Sequence, residues 1–302
     1  AGGLSMFTLT QVLLLFGSFA TNKVGIFGFW FEPDKNKWIF EQIPLTYFGI
    51  VFWGIFNTFA FLAWYSHLKS AFADPGIVST HLVPPDGGKD IQMCEKCKPK
   101  QWKPMRAHHC RECNKCIMKM DHHCPWINSC LGIRNYKYFI LFTAYTFLMS
   151  LVSGLNTVFC VLYLFLSGEI EQHLISIDKS SGISFILGIA CFIEAILFAY
   201  FTFEMTYECC DVLESNQTYV DQLKNLTGIP MYFSEGVWAW FGNDHWFWLL
   251  PTKPKLYVNY LERLYTEQYL FDSKEPKELH EDDFDPTGKT RNLDYSLVYQ
   301  DR

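Results

Sequence analysis

Seven of the chain's eleven cysteines and four of its nine histidines stand between Cys94 and Cys130. One pattern occurs there twice: Cys94-x2-Cys97, then His109, then Cys116, and Cys110-x2-Cys113, then His123, then Cys130. The copies interlock, because the second begins before the first has ended. Each supplies three thiolates and one imidazole, the Cys3His set that closes a tetrahedral structural zinc site. Two zinc ions are therefore expected, and Cys124 is left over directly after Asp121-His122-His123. A cysteine nucleophile needs a base within hydrogen-bond reach, and the base needs an orienting group. Cys124, His122 and Asp121 carry those three chemistries side by side. With His123 turned to the second zinc, His122 is free to face Cys124, and the zincs hold the loop that aims the thiol. Spacing alone also leaves Cys124, His122 and His108 as alternative ligands, in which case no catalytic pair exists.

These residues need elements to hold them, and the composition says where such elements lie. The chain of 302 residues is 50% hydrophobic and 18% aromatic, which suggests lipid contact. Its net charge of −6 gives no nucleic-acid footprint. Four apolar stretches are long enough to cross a bilayer, which takes roughly 20 helical residues. They run from Leu4 to about Ile26, Leu45 to Tyr65, Tyr136 to Leu166 and Ile183 to about Tyr207, with Trp64 and Tyr65 as an interfacial belt. The opening Ala1-Gly2-Gly3 reads as an added scar outside the fold, and no cleavable secretory signal is evident. The expected fold is an α-helical integral membrane protein with four transmembrane helices and a zinc-binding cysteine-rich domain between the second and third. Its parts are helices 1 and 2 over 4–66, the cysteine-rich domain over 67–135, helices 3 and 4 over 136–208 and a C-terminal region over 209–302.

Charge sets the expected topology. From Lys69 to Lys137 there are twelve Lys and Arg against six Asp and Glu, whereas the two short loops carry three and one basic residues. The positive-inside bias places the cysteine-rich segment in the cytosol, and with four spans both termini lie there too. Cysteines at two-residue spacing among histidines fit metal binding in that reducing compartment better than disulfides. The sequons at Asn216 and Asn225 are then expected to stay unglycosylated. The block from Trp238 to Leu250 holds too many aromatics for a solvated loop, so it should pack on the cysteine-rich domain or lie at the membrane interface. The acidic sequence after Lys274 reads as a poorly ordered tail.

Asp121-His122-His123-Cys124-Pro125-Trp126, within the Cys94 to Cys130 stretch, resembles the cysteine-rich domain of the DHHC protein S-acyltransferases, the palmitoyltransferases. The likeness extends more loosely to the four-span layout, to Asp74-Pro75-Gly76 and to Asn135-Tyr136-Lys137-Tyr138-Phe139. It implies transfer of a long-chain acyl group, palmitoyl first of all, from acyl-CoA to cysteines of cytosolic or membrane-associated proteins. Cys124 becomes the acyl acceptor, His122 its base and Asp121 the orienter. The family's zinc ligands fall on the two sets the repeat had already grouped. This chain departs from the family in three places. The segment between Cys97 and His109 is longer than usual, Thr218-Tyr219-Val220-Asp221 stands where Thr-Thr-x-Glu is common, and Gly236 stands where Asn is expected.

The implied reaction is ping-pong, with an acyl-Cys124 thioester that accumulates without protein substrate. Arg134 and Lys137, with Lys115 and Lys119 behind them, are the expected cations for CoA phosphates. A sixteen-carbon chain extends roughly 20 Å, or about 13 helical residues, which along the third span reaches Met149, Ser150 and Ser153. Glu194 is an intramembrane carboxyl and so a functional candidate, and Cys209-Cys210 are candidate acylation sites. An endomembrane, Golgi or ER, is favoured over the plasma membrane. The competing readings are a non-catalytic membrane zinc scaffold that recruits partners through the Trp-rich block, and a transporter or channel.

Overall fold

The computed structural model describes residues 2–22, 39–80, 92–167, 179–226, 232–242 and 244–256. The polar loop at 32–37, the residues Glu169, Glu171 and Asp178, and the acidic tail lie outside them. The chain forms two compact units, one from 8–65 and 141–206, the other from 1–7, 66–140 and 207–302.

The first unit is built from the greater part of four long helices, α1 (Gly2–Ala20), α2 (Ile39–Phe72), α3 (Tyr136–Ser167) and α4 (Lys179–Ser215), whose residues 2–7, 66–72, 136–140 and 207–215 belong to the second unit. Each takes its identity from a nearly unbroken apolar run. Phe16, Phe19, Trp53, Phe61, Leu162 and Leu197 are exposed, as side chains facing lipid would be. Among the described residues four helices are long and apolar enough to cross a membrane, within Gly2–Ala20, Tyr47–Phe72, Tyr136–Tyr163 and Gly188–Ser215. Two helices outrun the expected spans: α2 continues to Phe72 and α4 to Ser215, as helical rods that carry the chain on past their apolar stretches.

Small and polar side chains join the helices, since no hydrophobic drive exists between helices in lipid. Asn22 and Asn57 exchange amide hydrogen bonds at 3.0 and 2.9 Å, and Trp64 Nε1 donates to Gln11 Oε1 at 2.9 Å. Thr21 and Ser153 share a hydroxyl contact of 3.1 Å. Met149, Ser150 and Ser153 line a cavity together with Thr21, Cys191 and Glu194. Gly17 makes room for the carboxyl, because a Cβ there would meet Glu194 Oε1 at 2.9 Å.

The second unit holds three antiparallel hairpins: β1 (Met93–Cys94) with β2 (Gln101–Trp102), β3 (Ala107–Cys110) with β4 (Lys115–Met118), and β5 (His123–Cys124) with β6 (Ser129–Cys130). Short helices α5 (Tyr219–Leu223) and α6 (Phe233–Phe241) follow α4. Gly2 and Gly3, expected outside the fold, lie in the first turn of α1. α1 begins at Gly2, and a Cβ on Gly3 would collide with the Asn128 side chain. The aromatic block divides: Trp240 is fully buried with its ring 4.5 Å from Tyr136, whereas Trp246 is 82% exposed.

Candidate active site and metal centres

The hairpins explain why the cysteine pattern interlocks. In β3–β4 the register pairs His109 with Cys116, and in β5–β6 it pairs His123 with Cys130. Cross-strand partners project to the same face, so each pair offers an imidazole and a thiol together. Cys94 and Cys97 complete the first set, and Cys110 and Cys113 the second. Within each set the four ligand atoms lie within 4.8 Å of one another. Each centre therefore takes two cysteines from one hairpin and a cross-strand pair from the next. The eleven cysteines are all free of disulfides.

The donor chemistry fits a thiophilic divalent cation. Burial, then the neighbouring thiols, push Cys116 and Cys130 far up, so three such groups crowd together stably only around positive charge. Burial lowers His109 and His123, which keeps their rings neutral as metal ligands must be.

Strand alternation separates the ligands from their neighbours. His123 faces the second set, so the adjacent Cys124 points to the other face of its hairpin, where it is 1% exposed. His108 likewise turns away from the first set. Cys124, His122 and His108 belong to neither four-residue set. His122 Nδ1 lies 2.9 Å from Asp121 Oδ2. Burial lowers the His122 pKa, but the hydrogen bonds with Asp121 and Cys124 outweigh it and raise the value to about 10. The imidazole is thus a strong proton acceptor, oriented by a carboxylate and coupled to the thiol.

A buried polar network stands behind Asp121. Tyr219 N donates to Asp121 Oδ1 at 2.7 Å, and Thr218 Oγ1 donates to the Met120 carbonyl at 3.0 Å. Thr218 and Asp221 form the capping box that starts α5. Arg106 donates to Asp221 Oδ2 at 2.6 Å and His108 Nε2 to Oδ1 at 3.1 Å. Burial would raise Asp221, yet the His108 hydrogen bond and the Arg106 guanidinium hold its carboxyl well below the usual range. Asn216 accepts from both Arg106 and Lys119, so its buried side chain is closed to a glycan. Thr218 and Asp221, in the segment that departs from Thr-Thr-x-Glu, thus both bond to the stretch that carries Asp121 and the hairpins. Arg106 and Asn216 were not legible from sequence, because partners more than a hundred positions apart leave no local signal.

Several expected positions are used otherwise. Lys137 is buried, and its ammonium donates to the Phe247 carbonyl at 2.9 Å and to Thr252 at 3.3 Å, so it is turned inward rather than toward a CoA phosphate. Lys119 lies 4.1 Å over the Trp240 ring. Arg134 pairs with Asp74 at 2.7 Å, in the turn that follows α2. Lys115 is exposed. At Gly236 an Asn has no room, because any Cβ would run into the Leu213 carbonyl.

Residues 88–226 match the model of the DHHC palmitoyltransferase family. Palmitoyltransferase ZDHHC3-A of Danio rerio is 36% identical over 235 residues, covering 74% of this chain and 67% of the relative. Palmitoyltransferase ZDHHC7 of Mus musculus is 32% identical over 238 residues, covering 74% and 68%. Palmitoyltransferase ZDHHC3 of Rattus norvegicus is 39% identical over 181 residues, 56% of this chain and 58% of its own length. With this match and these relatives, the chain belongs to the DHHC palmitoyltransferase family.

Proposed function

We propose that this protein moves a long-chain acyl group, palmitoyl first of all, from acyl-CoA to cysteines of other proteins, with Cys124 as the acyl carrier. The observation that carries this reading is the Asp121–His122 pair at 2.9 Å beside a thiol excluded from both ligand sets. Cys124 reacts as the thiolate whose proton His122 holds, and the sulfur attacks the thioester carbonyl. The new bond from Cys124 to the acyl carbon replaces the bond to CoA sulfur, and His122 returns its proton to the departing CoA thiolate. In the second half-reaction His122 deprotonates the substrate cysteine. That thiolate takes the acyl group, and Cys124 leaves as a thiolate beside the protonated His122. Asp121 orients the ring through Nδ1, which leaves Nε2 for the thiols.

Zinc is the metal that the Cys3His sets fit best, bound structurally and with no part in the proton transfers. Cys94, Cys97, His109 and Cys116 would hold one ion, and Cys110, Cys113, His123 and Cys130 the other. The cavity lined by Met149, Ser150, Ser153 and Glu194 would take the acyl chain. The excess of basic residues in the cysteine-rich segment supports a cytosolic site, and an endomembrane is the compartment we assign to it.

The test is incubation of the purified protein with labelled palmitoyl-CoA, followed by hydroxylamine, for wild type and Cys124→Ser. Label on the wild type alone, released by hydroxylamine, with about two zincs in each protein, is the expected outcome. Label on neither protein, or zinc lost from the variant, would favour the non-catalytic scaffold.

A further inference from the structure

Two hairpins of the second unit share one geometry. In each, a cysteine closes the strand pairing before a four-residue loop, 111–114 after Cys110 and 125–128 after Cys124. The fourth loop residue is an asparagine in the left-handed region both times, Asn114 at φ 52° and Asn128 at φ 50°. The first loop is tied down through Cys110 and Cys113, which both belong to the second ligand set. In the second loop the matching positions are Cys124 and Ile127. Ile127 has no side-chain atom that could ligate a metal, and Cys124 must stay unligated to react. The loop that carries the nucleophile therefore lacks the tether of its counterpart.

His67 supplies another tether. Its Nε2 lies 3.0 Å from the carbonyl oxygen of Trp126, and since a carbonyl only accepts, the imidazole donates. Trp126 is the second residue of the loop. The turn's own bond runs from Asn128 N to the Pro125 oxygen at 3.2 Å and does not use the Trp126 carbonyl. The His67 ring is fully buried and stacked on Phe7, with centroids 5.2 Å apart and planes at 19°. Gly3, one turn before Phe7 on α1, packs against Asn128 at the far end of the same loop. We infer that His67 is a positioning residue for acyl transfer, holding the 125–128 loop by its hydrogen bond to Trp126 as Cys110 and Cys113 hold the 111–114 loop.

The inference rests on Cys124 being the nucleophile. A displacement of about 1 Å at such a site costs roughly 100-fold in rate. Two substitutions separate the hydrogen bond from mere packing. His67→Phe keeps an aromatic ring against Phe7 but has no donor, whereas His67→Gln loses the ring and keeps an amide donor at similar reach. Full-length protein in detergent is given labelled palmitoyl-CoA over a range of concentrations, with bound metal and amide exchange at Trp126–Asn128 measured alongside. The expected result for His67→Phe is a roughly 10- to 100-fold lower maximal rate of Cys124 acylation. Its half-saturating palmitoyl-CoA and its metal content stay unchanged, and the loop amides exchange faster. His67→Gln should recover most of the rate and the protection. His67→Phe acylating as fast as His67→Gln, or both variants losing metal, would overturn the inference. Absence of label on the wild type would instead show that Cys124 is not the acyl carrier, and the proposal would fall with that reading.

Discussion

The backbone amide of Tyr219 donates to Asp121 Oδ1 at 2.7 Å, while Oδ2 of the same carboxylate lies 2.9 Å from His122 Nδ1. The first turn of α5 thus fixes the carboxylate that orients the histidine. A segment nearly a hundred residues further along the chain reaches the reacting groups through this bond.

Asp121→Asn keeps only one acceptor for two donors, so either Tyr219 or His122 loses its partner. Acylation of Cys124 should fall on the order of 10³- to 10⁴-fold, as when the orienting carboxylate of a hydrolytic triad is neutralised. Zinc content should be unchanged. The pH dependence has a definite sign. His122 is raised from 6.5 to about 10, so its contribution to stability is complete below pH 6.5 and is lost as pH rises through about 10. The difference in Tm between wild type and Asp121→Asn should therefore be largest below pH 6.5 and shrink toward pH 10, by thermal unfolding in detergent.

Asp221→Ala leaves the buried Arg106 guanidinium without its carboxylate. Breaking a buried pair from one side costs about 3–5 kcal/mol, and α5 should loosen with it. Because the Asp221 pKa is depressed, its contribution is present above the ordinary carboxylate value of about 4 and is lost as pH falls below it. Thermal unfolding at stepped pH should show acid sensitivity in wild type that Asp221→Asn reduces.

His109→Ala and His123→Ala each remove one ligand from a different set. Elemental analysis should find about one zinc fewer per chain in each. Chelation of both ions should loosen the hairpins, because the ligands His109 and Cys116, and His123 and Cys130, are paired across their short strands. Acylation should be lost in every case, because Cys124 is held by a hairpin that ends in a ligand.

Ser153→Phe removes the hydroxyl contact with Thr21 and puts an aromatic ring into the cavity that Ser153 lines. Competition between acyl-CoAs of different length should shift toward shorter chains. Unchanged preference would show that the acyl chain runs elsewhere.

The ligand sets were legible in the chain because metal geometry is encoded in local spacing. Two cysteines at x2 spacing and a histidine–cysteine pair that fits one hairpin leave few ways to close a tetrahedral site. The four apolar helices were legible for a similar reason, since bilayer thickness demands an uninterrupted run. Which face each neighbouring side chain takes was decided only by tertiary structure. His108 and His109 are adjacent, yet strand alternation sends one to Asp221 and the other to a ligand set. Arg134 and Lys137, with Lys115 and Lys119 behind them, were expected to meet CoA phosphates, but burial committed Lys119 and Lys137 to internal partners. His67 bonding Trp126 and Arg106 bonding Asp221 join residues far apart in the chain, and only long-range packing brings such groups within hydrogen-bond reach.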